Sequence, residues 1–230
     1  MAKLTCLQAV NEVLKRIGEP TIAALTSLTT IQLQAFDNLN RALEEIAQDG
    51  DLRPLEAIGT VTLLTGTSTY TPPNDYRALA IESFKQSDSN RNVNIITADE
   101  FDIMFPKGVP SDRTGYPSVM AEIAGVFTFD RKPTANENSK TVDYRYFKIP
   151  TLYATATATG TSYIPEGYDR TLLCDYATWL TMRYMGHPEA MDYYYSIFGD
   201  PSNKKPEGSL AKFKSQFRQP FLKARVGYTF

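Results

Sequence analysis

The chain has 230 residues, 42% of them hydrophobic and 22% charged, with a net charge of −2. That is room for one large domain or two small ones around a sizeable core, and the balance excludes the global positive field of a nucleic-acid or membrane-surface binder. No apolar run approaches the roughly 20 residues of a membrane span, and MAKLTCLQAV lacks a signal peptide's apolar stretch, so the chain is expected to stay in the cytosol of the cell that makes it.

The first expected element is a helix over TCLQAVNEVLKRI, where Leu4, Leu7, Val10, Leu14 and Ile17 recur at helical spacing. Gly18 supplies the left-handed turn that stops it, and Pro20 cannot continue it. A second helix is expected over 30–49, capped by Thr29 or Thr30 and ended by Gly50. Its apolar stripe is Phe36, Leu39, Leu43, Ile46 and Ala47; Asp37, Arg41, Glu44, Glu45 and Gln48 take the other face. The short connection makes 1–51 a helical hairpin.

From 52 to 158 the period drops to two, and Thr, Val, Tyr and Phe replace the helix formers. Strands are expected at 59–64, 68–71, 78–84, 92–96, 118–123, 125–130 and 140–147. A short helix interrupts them at 98–105, capped by Thr97, with Asp99 and Glu100 in its first turn, where the helix dipole favours acids.

Helices return after 165. Pro165 suits a first helical position, and Leu172, Tyr176, Trp179, Leu180 and Tyr184 form a buried stripe. Gly186 closes that helix and Pro188 opens another, with Tyr194, Ile197 and Phe198 apolar. After the polar loop DPSNKKPEG, Ser209 caps a last helix carrying Leu210, Phe213 and Phe217. Helices, then strands, then helices point to an α+β fold: the two ends build one helical bundle (159–219 completing 1–51), the mainly antiparallel β region is inserted between them, and 220–230 forms an extended tail.

Two segments repeat one order of residues, TGTSTYTPPNDYR at 65–77 and TGTSYIPEGYDR at 159–170. A glycine-rich loop can cradle phosphate, but such loops lead straight into a helix N-terminus, and the first copy is followed by a strand and two prolines. The reading adopted is turn chemistry used twice. Gly66 takes the first central position of a hairpin turn between 59–64 and 68–71, and the second copy leaves the β region and starts a helix.

No catalytic pattern assembles: there is no GxSxG, HExxH or P-loop, and no cofactor or metal site is expected. Cys6 and Cys174 lie far apart and read as buried thiols, with a disulfide or metal site the alternative. His187, the only histidine, reads as a surface or capping residue rather than a base or ligand. A glycosidase needs two facing carboxylates; Glu44–Glu45 reads instead as a solvated helix face and Asp99–Glu100 as a helix start. The 14 tyrosines suit surfaces that are part apolar and part polar, which favours interfaces.

The C-terminus carries the strongest functional signal. Residues 204–225 hold seven basic residues against one acid, a net +6 that leaves −8 on the rest of the chain. Phe213, Phe217, Phe221, Tyr228 and Phe230 interleave with the charges, and ARVGYTF is a short, β-prone ending that can add to a partner's sheet or fill a groove. The alternatives are a solvated last helix with its cations near the C-terminal dipole, or a DNA contact.

In order along the chain, AVNEVLKRIGEPTIAAL (9–25), ALEEIAQDGD (42–51), VTLLTGTSTYTPPNDY (61–76), GVFTFDRKPTANENSKTVDYRYFKIPTL (125–152) and IPEGYDRTLLCDYATWLTMRY (164–184) resemble the head-to-tail adaptor proteins of tailed bacteriophages, the group that includes the tail tubular protein A type. The chain departs from the family pattern at Gly50-Asp51-Leu52, where an aromatic is common. The resemblance implies a structural virion protein of the phage neck. Such adaptors form rings, usually of twelve copies, that join the portal to the tail or nozzle proteins and let DNA pass through the bore without sequence-specific contact. Lys212, Lys214, Arg218, Lys223, Arg225, Tyr228 and Phe230 are the portal-docking residues this resemblance points to. The helical segments would meet neighbours in the ring. A free monomer, assembling only on the portal, is compatible with it. The competing readings are a virion-associated cell-wall hydrolase and a different connector, such as a head-closure or tail-tube protein.

Overall fold

The computed structural model describes residues 2–80, 84–86, 92–200, 202 and 207–218. They form an α+β fold of two units: a helical unit, whose described residues fall within 2–55 and 150–218, and a β unit, Glu56–Ile149. No described helix is long and apolar enough to cross a membrane.

In the helical unit, α1 (Cys6–Arg16) and α2 (Thr30–Gln48) each open on a complete capping box. Thr5 and Thr29 accept from the amides of Gln8 and Gln32, whose side chains accept in return from the cap amides. Glu19 N–H donates to Leu14 and Gly18 N–H to Lys15, closing α1 as expected. The stripe of α2 is buried throughout.

The next helical run starts later than the sequence implies. Pro165 lies in a turn whose carbonyl accepts from Tyr168, and the helix opens with a π-helical turn at Asp169–Cys174 before α4 (Asp175–Met185). Asp169 is buried and accepts from the Leu4 amide at 2.7 Å, so this turn is tied to the start of the chain. Leu172, Tyr176 and Leu180 are buried as expected, but Tyr184 is 65% exposed. After Gly186, α5 (Ala190–Phe198) begins two residues beyond Pro188. The cap of α6 (Ser209–Phe217) is Gly208, not Ser209. Gly208 lies so close to the Ile197 carbonyl that a Cβ there would collide with it, and the Ser209 hydroxyl, inside the first turn, is buried without a partner.

Long-range polar ties join the two ends of the chain: Arg16 pairs with Asp175, Tyr176 Oη donates to Glu45 (2.7 Å), Asn38 Nδ2 donates to Thr181 (3.0 Å), and Asn40 exchanges two hydrogen bonds with the Tyr153 backbone. The Thr/Ala stretch at 153–160 forms no strand. Two successive turns shape it, with Thr157 N–H donating to Ala154 and Gly160 N–H to Thr157; the carbonyls of Gly160 and Ala158 accept from the amides of Cys6 and Leu7, and Thr161 bridges Thr5.

The β unit holds β1 (Glu56–Thr62), β2 (Thr69–Tyr70), β3 (Tyr76–Leu79), β4 (Lys85–Gln86), β5 (Asn94–Ile95), α3 (Ala98–Met104), β6 (Val119–Ile123), β7 (Val126–Phe129) and β8 (Thr141–Lys148). One sheet runs β1-β8-β3 with β4 also on β8, and the other runs β2-β7-β6-β5; among these described strand pairs only β5–β6 is parallel. The expected strand 78–84 ends at Leu79, with 81–83 and the DSNR loop (88–91) outside the described residues. Strand 92–96 shortens to two residues. Thr97 and Glu100 complete a third capping box on α3.

The expected hairpin at Gly66 does not form. β1 pairs with β8 and β2 with β7, so the Thr-Gly-Thr turn carries the chain from one sheet to the other. Thr67 N–H closes the turn onto Leu64 (3.1 Å), which puts Gly66, at φ 77°, in the second central position, where a positive φ is required. Between the sheets lies an aromatic core. Phe84 stacks on Tyr144 (4.9 Å between centroids, 6° between planes), and Phe127 meets both edge-on. The tyrosines expected at interfaces are in part core residues: Tyr144 and Tyr146 are buried.

Candidate docking surfaces

Helix α6 carries the described part of the basic segment. Leu210 and Phe213 are buried, and Tyr168 packs edge-on to Phe213 (5.3 Å) and Phe217 (5.9 Å). Two of the interleaved aromatics therefore anchor the helix rather than offer themselves to a partner. Two of the expected docking cations are also engaged. Lys214 pairs with Asp49 at the end of α2, and Arg218 bridges Leu52 through its backbone while its guanidinium lies against Gly50. The Lys214 pair is solvent-accessible, so it adds no more than about 1 kcal/mol. Lys212 is exposed on a cleft of about 780 Å³ that also holds Asp175, Asp192, Asp200 and Glu207. Lys223, Arg225, Tyr228 and Phe230 lie outside the described residues.

The second surface was not singled out by the sequence. Helix α5, AMDYYYSIF, is apolar around most of its circumference yet buries only Ala190 and Ile197. Met191 is 49% exposed, Tyr195 39% and Phe198 37%. Phe198 also interlocks with Tyr176, Trp179 and Tyr194 at centroid distances of 4.8–5.7 Å, and Arg183 lies over the Trp179 ring at 5.8 Å. The open aromatics are thus presented from a packed base. Their signal was present in the sequence: a nine-residue helix cannot turn three consecutive tyrosines, a methionine and a phenylalanine all inward.

The residues weighed for chemistry are placed as follows. Cys6 and Cys174 are free and buried; burial pushes their thiols up to about 11 and about 12, so both stay protonated at neutral pH. His187 is exposed at the α4–α5 junction, 3.5 Å from Glu189. Asp99 and Glu100 start α3. Glu45 differs from its reading as part of a solvated face, since it accepts from both Arg41 (2.7 Å) and Tyr176, and with burial it pushes the Tyr176 phenol well up. No group of three or more His, Cys, Asp or Glu among the described residues is placed to hold a metal ion.

A helical unit, an inserted β unit and an open aromatic helix face make a scaffold without a catalytic pattern among the described residues. No curated protein matches the chain. The SU10 adaptor protein family model matches residues 4–216, nearly the whole chain, and the protein belongs to that family of bacteriophage adaptors, as a structural component of the virion.

Proposed function

We propose that the protein forms a ring, of twelve copies as in the adaptors it resembles, that joins the portal at the capsid vertex to the tail proteins and lets DNA through its bore. Its role is structural rather than catalytic, and it is made in the host cytoplasm before entering the virion. The observation that carries this reading is the α5 face, where Met191, Tyr195 and Phe198 stand open in a family of adaptors. Each contact is small, and repetition around a ring multiplies it. The helical unit meets its neighbours through this face, while the β unit meets tail components.

The C-terminal segment supplies the portal contact. Because Lys214 and Arg218 already tie α6 to the end of α2, the docking weight falls on Lys223, Arg225, Tyr228 and Phe230, with Lys212 beside them. Electron microscopy of the protein mixed with its portal tests the reading: a ring stacked on the portal is expected. Deleting 220–230 should abolish portal binding and leave the circular dichroism spectrum unchanged. Undiminished portal binding by the truncated chain overturns the tail assignment.

A further inference from the structure

A closed ring of more than two copies needs heterologous contacts, in which two different patches of the chain meet, one from each neighbour. The α5 face is one such patch. A second lies on α3 in the β unit. Phe101 is buried in that helix and Phe105 just after it, while Ile103 is 80% exposed, the most of any large hydrophobic among the described residues, and Met104 is 49% exposed. Asp99, Asp102 and Ile103 share one outward face at helical spacing, so exposed carboxylates flank the isoleucine. No cation among the described residues pairs with either carboxylate. Lys107, the next cation in sequence, lies beyond the helix end. In the helical unit, the α4–α5 junction holds a pocket of about 430 Å³ whose lining includes Trp179, Arg183, His187, Pro188, Met191 and Tyr194. Arg183 lies over the Trp179 ring, and no carboxylate among the described residues pairs with it. Of the nearby acids, Glu189 is 3.5 Å from His187, and Asp192 lines the other cleft with Asp175.

We infer that this pocket receives α3 of a second copy of the chain, with Ile103 entering it and Asp102 meeting Arg183. The inference rests on the ring reading above and names the surface that the α5 side of each copy meets. Charge selects the occupant. Pairing α3 with α3 would bring Asp99 and Asp102 against their own copies, and pairing the α4–α5 junction with itself would bring Arg183 against Arg183. Only the crossed pairing sets opposite charges together around the apolar contact. Trp, Tyr, Met and Arg, which line the pocket, are also the residue types enriched where protein surfaces meet. Each copy carries both patches, so the same contact repeats from neighbour to neighbour, and the rest of the β unit stays available to tail components.

Electron microscopy of the full-length chain mixed with its portal tests this through the share of portals that carry a ring. Ile103→Glu should lower that share at least about tenfold and leave the circular dichroism spectrum and thermal midpoint unchanged, since the side chain is already exposed. Asp102→Arg should lose rings, because an arginine would then meet Arg183, and Arg183→Glu should lose them too. The two reversals combined in one chain should restore rings, which a direct pairing of these positions requires. Rings that persist in Ile103→Glu overturn the contact and leave the ring reading standing, whether or not tail attachment is lost. A double reversal no better than either single one does the same. If the wild type itself forms no ring, the ring reading falls and the contact falls with it. If Arg183→Glu fails to fold, Ile103→Glu still decides.

Discussion

Single side chains set how the two ends of the chain hold together, and most of those ties are polar. Asp169 receives the Leu4 amide, Glu45 the Tyr176 hydroxyl, and Asp175 both Arg16 and the Ser196 hydroxyl. None was legible in advance, because most of these partners lie 131 to 165 residues away and leave no local pattern. The cysteines were legible, since two distant thiols without metal spacing have little to do but fill a core. Their burial gives the protein an alkaline weakness. The thiols titrate at about 11 and about 12 in the folded chain against 9.0 ordinarily. Above pH 9 the unfolded chain releases these protons while the folded chain keeps them, so the stability present below pH 9 is lost progressively as pH rises toward 12. Urea midpoints measured from about pH 8 to about pH 11 should therefore fall less steeply in Cys6→Ala/Cys174→Ala than in the wild type; equal slopes would show that the thiols do not contribute.

Helix and strand signals divide by how far their causes reach. All three capping boxes have Thr at the cap and Gln or Glu three residues on, so their logic is complete within four positions. The sequence left Thr29 and Thr30 both open as the cap of α2; the structure selects Thr29. Thr29→Ala should cost about 1 kcal/mol in denaturant unfolding, and Thr30→Ala, at an exposed first-turn position, far less. A comparable loss from both would refute the cap assignment. Where a nearby backbone intervenes, local rules mislead. Ser209 looks like a cap, but the close approach of Gly208 to Ile197 moves the cap back one residue. Pro165 looks like a helix start, but the tie between Asp169 and Leu4 accompanies a π-helical opening further on.

At the scale of the whole molecule the α+β class and the adaptor family agree with the sequence. The basic C-terminal helix has structural ties of its own, and in the proposed function the aromatic face of α5 shares the docking role. Met191→Glu combined with Tyr195→Glu should leave the monomer folded, since both side chains are already exposed. The same pair should prevent ring formation on the portal by placing charges in a repeated apolar contact. Rings that form normally with this variant would remove α5 from the proposed interface.

By itself the sequence determined the helices and the order helix–strand–helix, because period and capping act within a few residues. Tertiary structure alone decided which strands pair. The segment TGTSTYT fits a hairpin by every local criterion, yet β1 joins a strand that begins 79 residues beyond its own last residue and β2 joins another sheet. Packing of Phe84, Phe127 and Tyr144 across the two sheets supplies what no turn can specify. The same packing takes Tyr144 and Tyr146 inside, while α5, with nothing described to cover it, keeps its aromatics out.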